Sequence, residues 1–371
     1  MRVAIDYTSA LRQRGGVGRY TRDLVAALLA EAPEDEFLLW HAADCSSGIP
    51  QAANVLPRRL PISTRWLTAG WQRLRLPITL ERFVGPVDVA HAPDFVAPPS
   101  HAPAIATIHD LSYLITPEYA HPALRRFLAA AVPRTLARAA RVLAVSETTR
   151  VDLIERYGLN PGRVVSVPNG VDRRFRTPGP EEMDNALRLF DLRRPYFLIV
   201  GTIEPRKNHL ALLRAFERVS QRWPEAALVI IGQPGWLAEP IVARIEDAAQ
   251  RLPVRYLRFV DDRWLPSLYA ASTALVYPSW YEGFGLPVLE AMACGAAAIA
   301  GDRGALPELV GEVALLVSPA SDEAIAEAML TLLDDPERQR RLAAAGPAWA
   351  ARFTWGRAAR AVLSVYREVA V

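Results

Sequence analysis

Short apolar runs alternate with amphipathic stretches of helical period along nearly the whole chain. In the first half they predict strands at 2–6, 36–40, 88–91, 104–108, 142–145 and 164–167, and helices near 17–30, 122–140 and 147–157. Ser146 followed by Glu147 and Thr148 marks a helix start directly after a strand. A turn-rich stretch without periodicity, 168–182, then interrupts the pattern and reads as a linker. A second series follows, with strands at 196–201, 227–232, 255–260, 274–277 and 297–300 and helices at 208–221, 238–251, 264–271 and 287–294. Helices at 321–334, 336–350 and 355–369 close the chain. Strand and helix alternating in this way predict an α/β fold with parallel sheets. The pattern divides the chain into two doubly wound units, 1–175 and 183–354. A ligand is then expected outside the carboxyl ends of the strands, in the crevice between the units.

Composition narrows the partners. A chain of 371 residues is too long for one compact core, which agrees with two domains. Net charge is +3 and the pI about 9.0, a mild excess without zinc-finger spacing, a basic tail or an aromatic-rich basic repeat, so nucleic acid is not expected. Cys45 and Cys294 have no paired spacing, and no apolar run approaches the ~20 residues that span a bilayer. With the first strand beginning at residue 2, no leader is read, and a reduced cytoplasmic setting is expected. One feature is sharper. Of 43 basic residues Lys207 alone is a lysine, so a site that keeps a compact ammonium against this bias is a candidate for function.

Candidate chemistry clusters at strand-to-helix turns. In Tyr281-Glu282-Gly283-Phe284-Gly285-Leu286-Pro287-Val288-Leu289-Glu290 a carboxylate precedes a glycine-bearing loop and a second lies in the following helix. Glycines let a ligand approach the backbone, and a helix N-terminus attracts phosphate. A carboxylate accepts from two vicinal hydroxyls, so the segment suits a sugar joined to phosphate; the plain alternative is a loop with two solvated glutamates. The turn Gly201-Thr202-Ile203-Glu204-Pro205-Arg206-Lys207-Asn208 offers two adjacent cations for a leaving diphosphate, or else is a charged turn capped by Asn208. Asp-X-Asp at a strand end is missing, so cationic side chains are expected in place of a metal ion. The turn Leu11-Arg12-Gln13-Arg14-Gly15-Gly16-Val17-Gly18-Arg19-Tyr20 exposes N–H groups at Gly15 and Gly16 but fits a dinucleotide fingerprint poorly. His109-Asp110, after strand 104–108, reads as a sugar contact or a structural pair. The loop 301–308 reads as a flap that closes over the ligand. Residues 58–83 carry six arginines with Trp66 and Trp71. They read either as a basic amphipathic helix against an anionic membrane or lipid-linked acceptor, or, preferably, as a solvated basic face with its tryptophans in the core.

Together these residues give the chain a resemblance to the family-4 glycosyltransferases of the two-domain type called GT-B. It is carried by Gly15-Gly16-Val17-Gly18-Arg19-Tyr20, His109-Asp110-Leu111-Ser112, Val145-Ser146-Glu147, Val167-Pro168-Asn169-Gly170-Val171-Asp172, the 201–208 turn and Tyr277-Pro278-Ser279 through Gly295, with Glu282 and Glu290 at the family's Glu-X7-Glu spacing. The subgroup it resembles includes bacterial polysaccharide and O-antigen mannosyltransferases. The resemblance implies two Rossmann-like domains, with the C-terminal helix, about 355–371, crossing back to the first. It implies a retaining, metal-independent hexosyl transfer, without cofactor, from a nucleotide-diphosphate sugar. Carried over by position, Arg206 and Lys207 bind the donor diphosphate, Glu290 the ribose, and Glu282 and His109 the transferred sugar. Gly16 offers its N–H to the diphosphate; Gly283, Phe284, Gly285 and Leu286 line the donor; Gly15 and Asp110 lie on the acceptor side. Ala296-Ala297 stands where the family usually has Pro-Val, which touches none of these roles.

GDP-mannose is the expected donor, with GDP-rhamnose, UDP-glucose and dTDP sugars open. The acceptor is expected to be a glycan or lipid-linked saccharide at the inner face of the membrane. Two other readings stand beside this one: a nucleotide-sugar epimerase or phosphorylase on the same fold, and a non-catalytic nucleotide-binding partner in a polysaccharide assembly complex.

Overall fold

A computed structural model describes residues 1–13, 15–45 and 48–370. The chain forms two compact units. The first comprises Met1–Leu111, Ala123–Gly170 and the C-terminal segment from Phe353; the second comprises Ser112–Pro122 and Val171–Arg352. The short segment Ser112–Pro122, unmarked in the sequence, belongs to the second unit, where the Trp236 indole donates to the Tyr119 carbonyl at 2.8 Å.

The first unit is built on seven strands: β1 Arg2–Asp6, β2 Glu36–His41, β3 Val55–Arg59, β4 Val89–Ala92, β5 Ala104–Ile108, β6 Arg141–Ala144 and β7 Val164–Ser166. They lie in the order β3-β2-β1-β4-β5-β6-β7, and every pair is parallel. The second unit has six: β8 Tyr196–Val200, β9 Ala227–Ile231, β10 Val254–Leu257, β11 Ala274–Tyr277, β12 Ala298–Gly301 and β13 Leu315–Val317, in the order β10-β9-β8-β11-β12-β13, again all parallel. Helices cover both faces of such sheets, so central strands read as continuous apolar runs; β4, β5 and β11 are buried at every position. In each unit the strand order reverses beside the first strand, between β1 and β4 and between β8 and β11. That is where doubly wound sheets open a crevice for ligand.

The predicted strands and helices are found, with two edge strands added. β3 is exposed at four of five positions and contains Pro57, which an edge strand tolerates; β13 has three residues. Neither carries the buried run that marks the central strands. The expected linker 168–182 is shorter than read, because the helix Pro180–Leu189 starts within it, with Glu182 accepting from the Gly179 N–H at 2.8 Å.

The single basic helix considered for 58–83 does not form. Pro61 and Pro77 break the stretch into the end of β3, the helix Thr64–Thr68 continuing into a wide turn Ala69–Arg73, and the helix Glu81–Val84. Trp71 enters a core of Leu38, Trp40, Leu60, Leu67 and Leu80, whereas Trp66 is two-thirds exposed. The C-terminal helix Trp355–Val369 packs within the first unit, its Tyr366 hydroxyl 2.5 Å from His91 Nδ1. Val371, the last residue of the expected 355–371 segment, lies outside the described residues. No helix among the described residues is long and apolar enough to cross a membrane.

Candidate active site

In the second unit the chain leaves β8 and turns through Pro205–Lys207 before the helix His209–Arg222. It leaves β11 through Pro278–Gly285 before the helix Leu286–Ala293. β8 and β11 are parallel neighbours, so both turns emerge at the same edge of the sheet, at the reversal of strand order. The Trp280 N–H donates to the Arg206 carbonyl at 2.9 Å and fixes one turn against the other.

This brings together side chains from two segments that lie far apart in sequence. Lys207 Nζ is 2.6 Å from Glu282 Oε1 and donates to the Tyr277 hydroxyl at 2.5 Å. Arg206 reaches Glu282 Oε2 at 2.8 Å, Glu204 Oε1 at 2.7 Å and the Tyr281 carbonyl at 2.6 Å. Glu204, Lys207 and Glu282 are all buried. Two carboxylates and two cations balance, which lets such a cluster stay inside a protein. Burial pushes the Glu282 carboxyl up, but Arg206 and Lys207 together more than reverse this and hold it at about 2. Burial and the Glu282 charge push the Tyr277 hydroxyl well above its ordinary range, so it stays a neutral partner for the ammonium.

The loop after Glu282 is fixed by its glycines and neighbours. Gly285 caps the helix at φ +108°, where a side chain would be strained and would meet Leu306. Gly304 lies against the Glu282 backbone so closely that a Cβ would come within 2.5 Å of its carbonyl oxygen, and the Ala305 N–H donates to that oxygen at 2.8 Å. The loop 301–308, read from sequence as a flap, is therefore a support for Glu282. Gly283, Phe284 and Gly285 are buried and Leu286 is half-buried. Glu290 is buried one helical segment further on, with Oε2 accepting from the Tyr269 hydroxyl at 3.1 Å.

Asn208 occupies the N-cap position, but its side chain does not cap. It sits at φ +61° and donates to the carbonyls of Pro278 and Pro319 at 3.1 and 2.7 Å, bracing the same pair of turns. Glu204 and Tyr277 stood in the motifs without a role. Their part depends on the β8–β11 neighbourhood, which joins strands that are not consecutive.

The remaining candidates lie in the first unit. His109 follows β5, and its Nε2–H donates to the Pro93 carbonyl at 2.7 Å, leaving Nδ1 as the ring's other polar atom. Burial holds the imidazole below its ordinary range, only partly offset by the Pro93 carbonyl and the carboxylates of Asp94 and Asp110. Gly15 caps and Gly16 begins the helix Gly16–Glu31, with Gly16 at φ +47° and open space beside both α-carbons. Tyr20 of that helix packs edge-on against the His109 ring at 4.7 Å, so Gly16 and His109 share one corner of the unit. Asp110 is half-buried beside His109, and Arg14 lies outside the described residues.

The chain is 32% identical over 369 residues, 95% of its length, to O-antigen chain mannosyltransferase B of Escherichia coli, and covers 96% of that protein. Residues 14–175 match the profile described as Glycosyltransferase Family 4, and residues 183–349 match Glycosyl transferases group 1. The chain belongs to glycosyltransferase family 4. As a family-4 member it is a hexosyl-transfer enzyme, which sets aside the reading as a non-catalytic partner. A further relative is the alpha-maltose-1-phosphate synthase of Mycolicibacterium smegmatis, 35% identical over 64% of this chain and 66% of that one. Two solved structures share the fold: sucrose-phosphate synthase from Thermosynechococcus elongatus (TM-score 0.79, 21% identity, 99% of this chain and 98% of that one) and WaaG, a glycosyltransferase involved in lipopolysaccharide biosynthesis (TM-score 0.77, 15% identity, 99% of each). The family-4 chain is thus of the GT-B type, with a parallel α/β sheet in each unit.

Proposed function

We propose that this glycosyltransferase moves a mannosyl residue from GDP-mannose to a growing glycan or lipid-linked saccharide in polysaccharide assembly, with retention at the anomeric carbon and without a metal ion, in the cytoplasm. The observation that carries the reading is the buried cluster of Arg206 and Lys207 on Glu282 at the strand-order reversal. Two fixed cations there meet the charge that grows on a departing diphosphate, in surroundings where such charge stabilisation is strong. The choice of sugar is supported by the full-length likeness to the O-antigen mannosyltransferase. A serotype-specific mannosyltransferase WbdA of Escherichia coli, 29% identical over 71% of this chain and 33% of its own length, adds to it.

In the proposed step the acceptor hydroxyl oxygen bonds to the anomeric carbon on the face the phosphate leaves. The carbon–oxygen bond to phosphate breaks with its electron pair on the phosphate, which takes the acceptor proton. Arg206 and Lys207 hold the diphosphate, assisted by the Gly16 N–H, and Glu290 holds the ribose. Gly283 through Leu286 line the donor, and Gly15 and Asp110 lie toward the acceptor. Glu282, with its carboxyl held at about 2, is ionised at any working pH, so it accepts hydrogen bonds from the sugar and donates no proton. His109, with Nε2–H committed to Pro93, serves the sugar through Nδ1 as an acceptor. A phosphorylase on this fold would need Lys207 free to form a Schiff base with pyridoxal phosphate; its contacts with Glu282 at 2.6 Å and the Tyr277 hydroxyl at 2.5 Å favour the transferase reading.

A nucleotide panel read by thermal shift tests the donor. GDP at about 100 times its dissociation constant is expected to stabilise the fold by about 2.7 kcal/mol, with UDP inert. Stabilisation by UDP and none by GDP overturns the assignment. Glu282 is expected to orient the donor without being attacked, so mass spectrometry of enzyme quenched during turnover should find it unmodified. A glycosyl ester on Glu282 replaces the single-step route with a covalent one.

A further inference from the structure

The broken basic stretch of the first unit leaves a surface that the transfer chemistry does not use. Over Thr64–Thr68 and the following turn, Leu67 and Trp71 point into the core, one helical turn apart. Trp66 and Gly70 share the opposite face. Leu76 Cδ1 lies 3.6 Å from where a Gly70 side chain would begin, so Leu76 extends the face that Trp66 starts. Trp66 is 67% exposed and Leu74 68%, and Leu76 and Ile78 are exposed as well. Four large apolar side chains within thirteen residues form a patch, not scattered surface hydrophobes.

The patch is held in place. The Trp71 indole donates to the Ile78 carbonyl at 2.7 Å, and the Leu76 N–H donates to the Gly70 carbonyl at 2.9 Å. Arg134 of the helix Pro122–Arg138 donates to the Gln72 carbonyl at 3.0 Å. Arg75 sits at φ +55°, a left-handed conformation that side chains rarely adopt.

Charge identifies the partner. From residue 45 to residue 80 the chain holds five arginines and no aspartate or glutamate. Among the described residues Arg65, Arg73 and Arg75 have no ion-pair partner, and no carboxylate lies within their stretch of chain to supply one. Tryptophan, leucine and isoleucine presented among unpaired arginines match a bilayer interface. The indole and aliphatic groups enter the headgroup boundary, and guanidinium groups meet anionic lipid.

We propose that the surface formed by Trp66, Leu74, Leu76 and Ile78 with Arg65, Arg73 and Arg75 docks the enzyme on an anionic lipid bilayer. The inference rests on the first unit alone and holds whichever sugar nucleotide is the donor.

Co-sedimentation with vesicles, without donor or acceptor, tests it. The wild-type chain is expected to bind vesicles of equal parts phosphatidylglycerol and phosphatidylcholine, to leave phosphatidylcholine vesicles in solution, and to be released by raised salt. The combined variant Arg65→Gln, Arg73→Gln, Arg75→Gln should weaken partitioning by about fivefold per charge, roughly 100-fold in all. The variant Trp66→Ser, Leu74→Ser, Leu76→Ser should lose binding while keeping the wild-type melting temperature, since all three side chains are exposed. Failure of the wild-type chain to bind anionic vesicles, equal binding to neutral ones, or wild-type binding by both variants overturns the proposal. So does a self-association in analytical ultracentrifugation that the serine variant abolishes, which would assign the face to a second copy of this chain.

Discussion

Lys207→Ala is expected to lower kcat by ~10²-fold or more, the scale of one lost electrostatic donor, with a smaller change in KM for the sugar nucleotide. The reason lies in where the ammonium is held. Its hydrogen bond to Tyr277 and its ion pair with Glu282 fix it at the edge of β8, in a buried setting where a unit charge acts strongly on charge that develops nearby. The variant should still fold. Glu282 keeps Arg206 at 2.8 Å, so its buried carboxylate is not orphaned, and the destabilisation should stay below the about 3–5 kcal/mol of a fully broken buried pair. Lys207→Arg should also lose activity, though less. A planar guanidinium does not fit the space between the Tyr277 hydroxyl and Glu282 as a compact ammonium does. Steady-state kinetics with a melting curve on each variant separate the two effects. An unchanged kcat in a folded Lys207→Ala removes the lysine from the site.

The same lysine shows what the sequence can carry. Its rarity and its turn were visible, and so were Arg206 and Glu282, because each sits directly after an apolar run that could only be a central strand. That these three touch was not visible. Lys207 and Glu282 are 75 residues apart and meet because β11 pairs with β8, which skips two strands of sequence order. Glu204 and Tyr277 gain their roles from that pairing alone. Asn208 shows the limit of the plain alternative: asparagine before a helix reads as a cap, yet its amide braces Pro278 and Pro319. The arginines of 58–83 have nearly helical spacing, but Pro61 and Pro77 cut the stretch. Which tryptophan faced the core then depended on packing against Trp40.

Acidification below pH 6.5 is expected to destabilise the fold steeply, chiefly through His91 in the first unit and His209 in the second. In the first, His91 lies between the Tyr366 hydroxyl and Thr107 Oγ1, at 2.5 and 2.9 Å, and burial, with a smaller contribution from His109, holds its imidazole down at about 3. In the second, burial and the neighbouring Lys207 charge hold His209 at about 3. Both folded values lie below the unfolded value of 6.5, so the unfolded chain binds more protons as pH falls. The stability is complete above 6.5 and declines by about 1.4 kcal/mol per pH unit for each histidine. Asp6 acts in the opposite sense. Burial raises its carboxyl to about 6, so its contribution is full below 3.8 and is lost as pH rises toward 6. His91 and His209 against Asp6 leave a loss of about 3 kcal/mol between pH 6 and 4, a large part of an ordinary folding free energy; His109, also held below its ordinary range, acts with them, and Asp94, raised by burial, acts against them. Below 4.5 the loss steepens, because the Glu282 carboxylate, held at about 2, resists protonation only in the folded chain. His209→Leu isolates one part of this. No well-formed hydrogen bond holds either ring nitrogen of His209 among the described residues, the Glu204 backbone only weakly favouring its charge, so an apolar side chain of similar size should cost little at pH 7. It should also flatten the acid dependence by about one histidine's share, read as urea unfolding midpoints at pH 7 and pH 5. A wild-type midpoint that does not move over that interval, or a His209→Leu profile parallel to wild type, would show that these imidazoles titrate alike in the folded and unfolded chain.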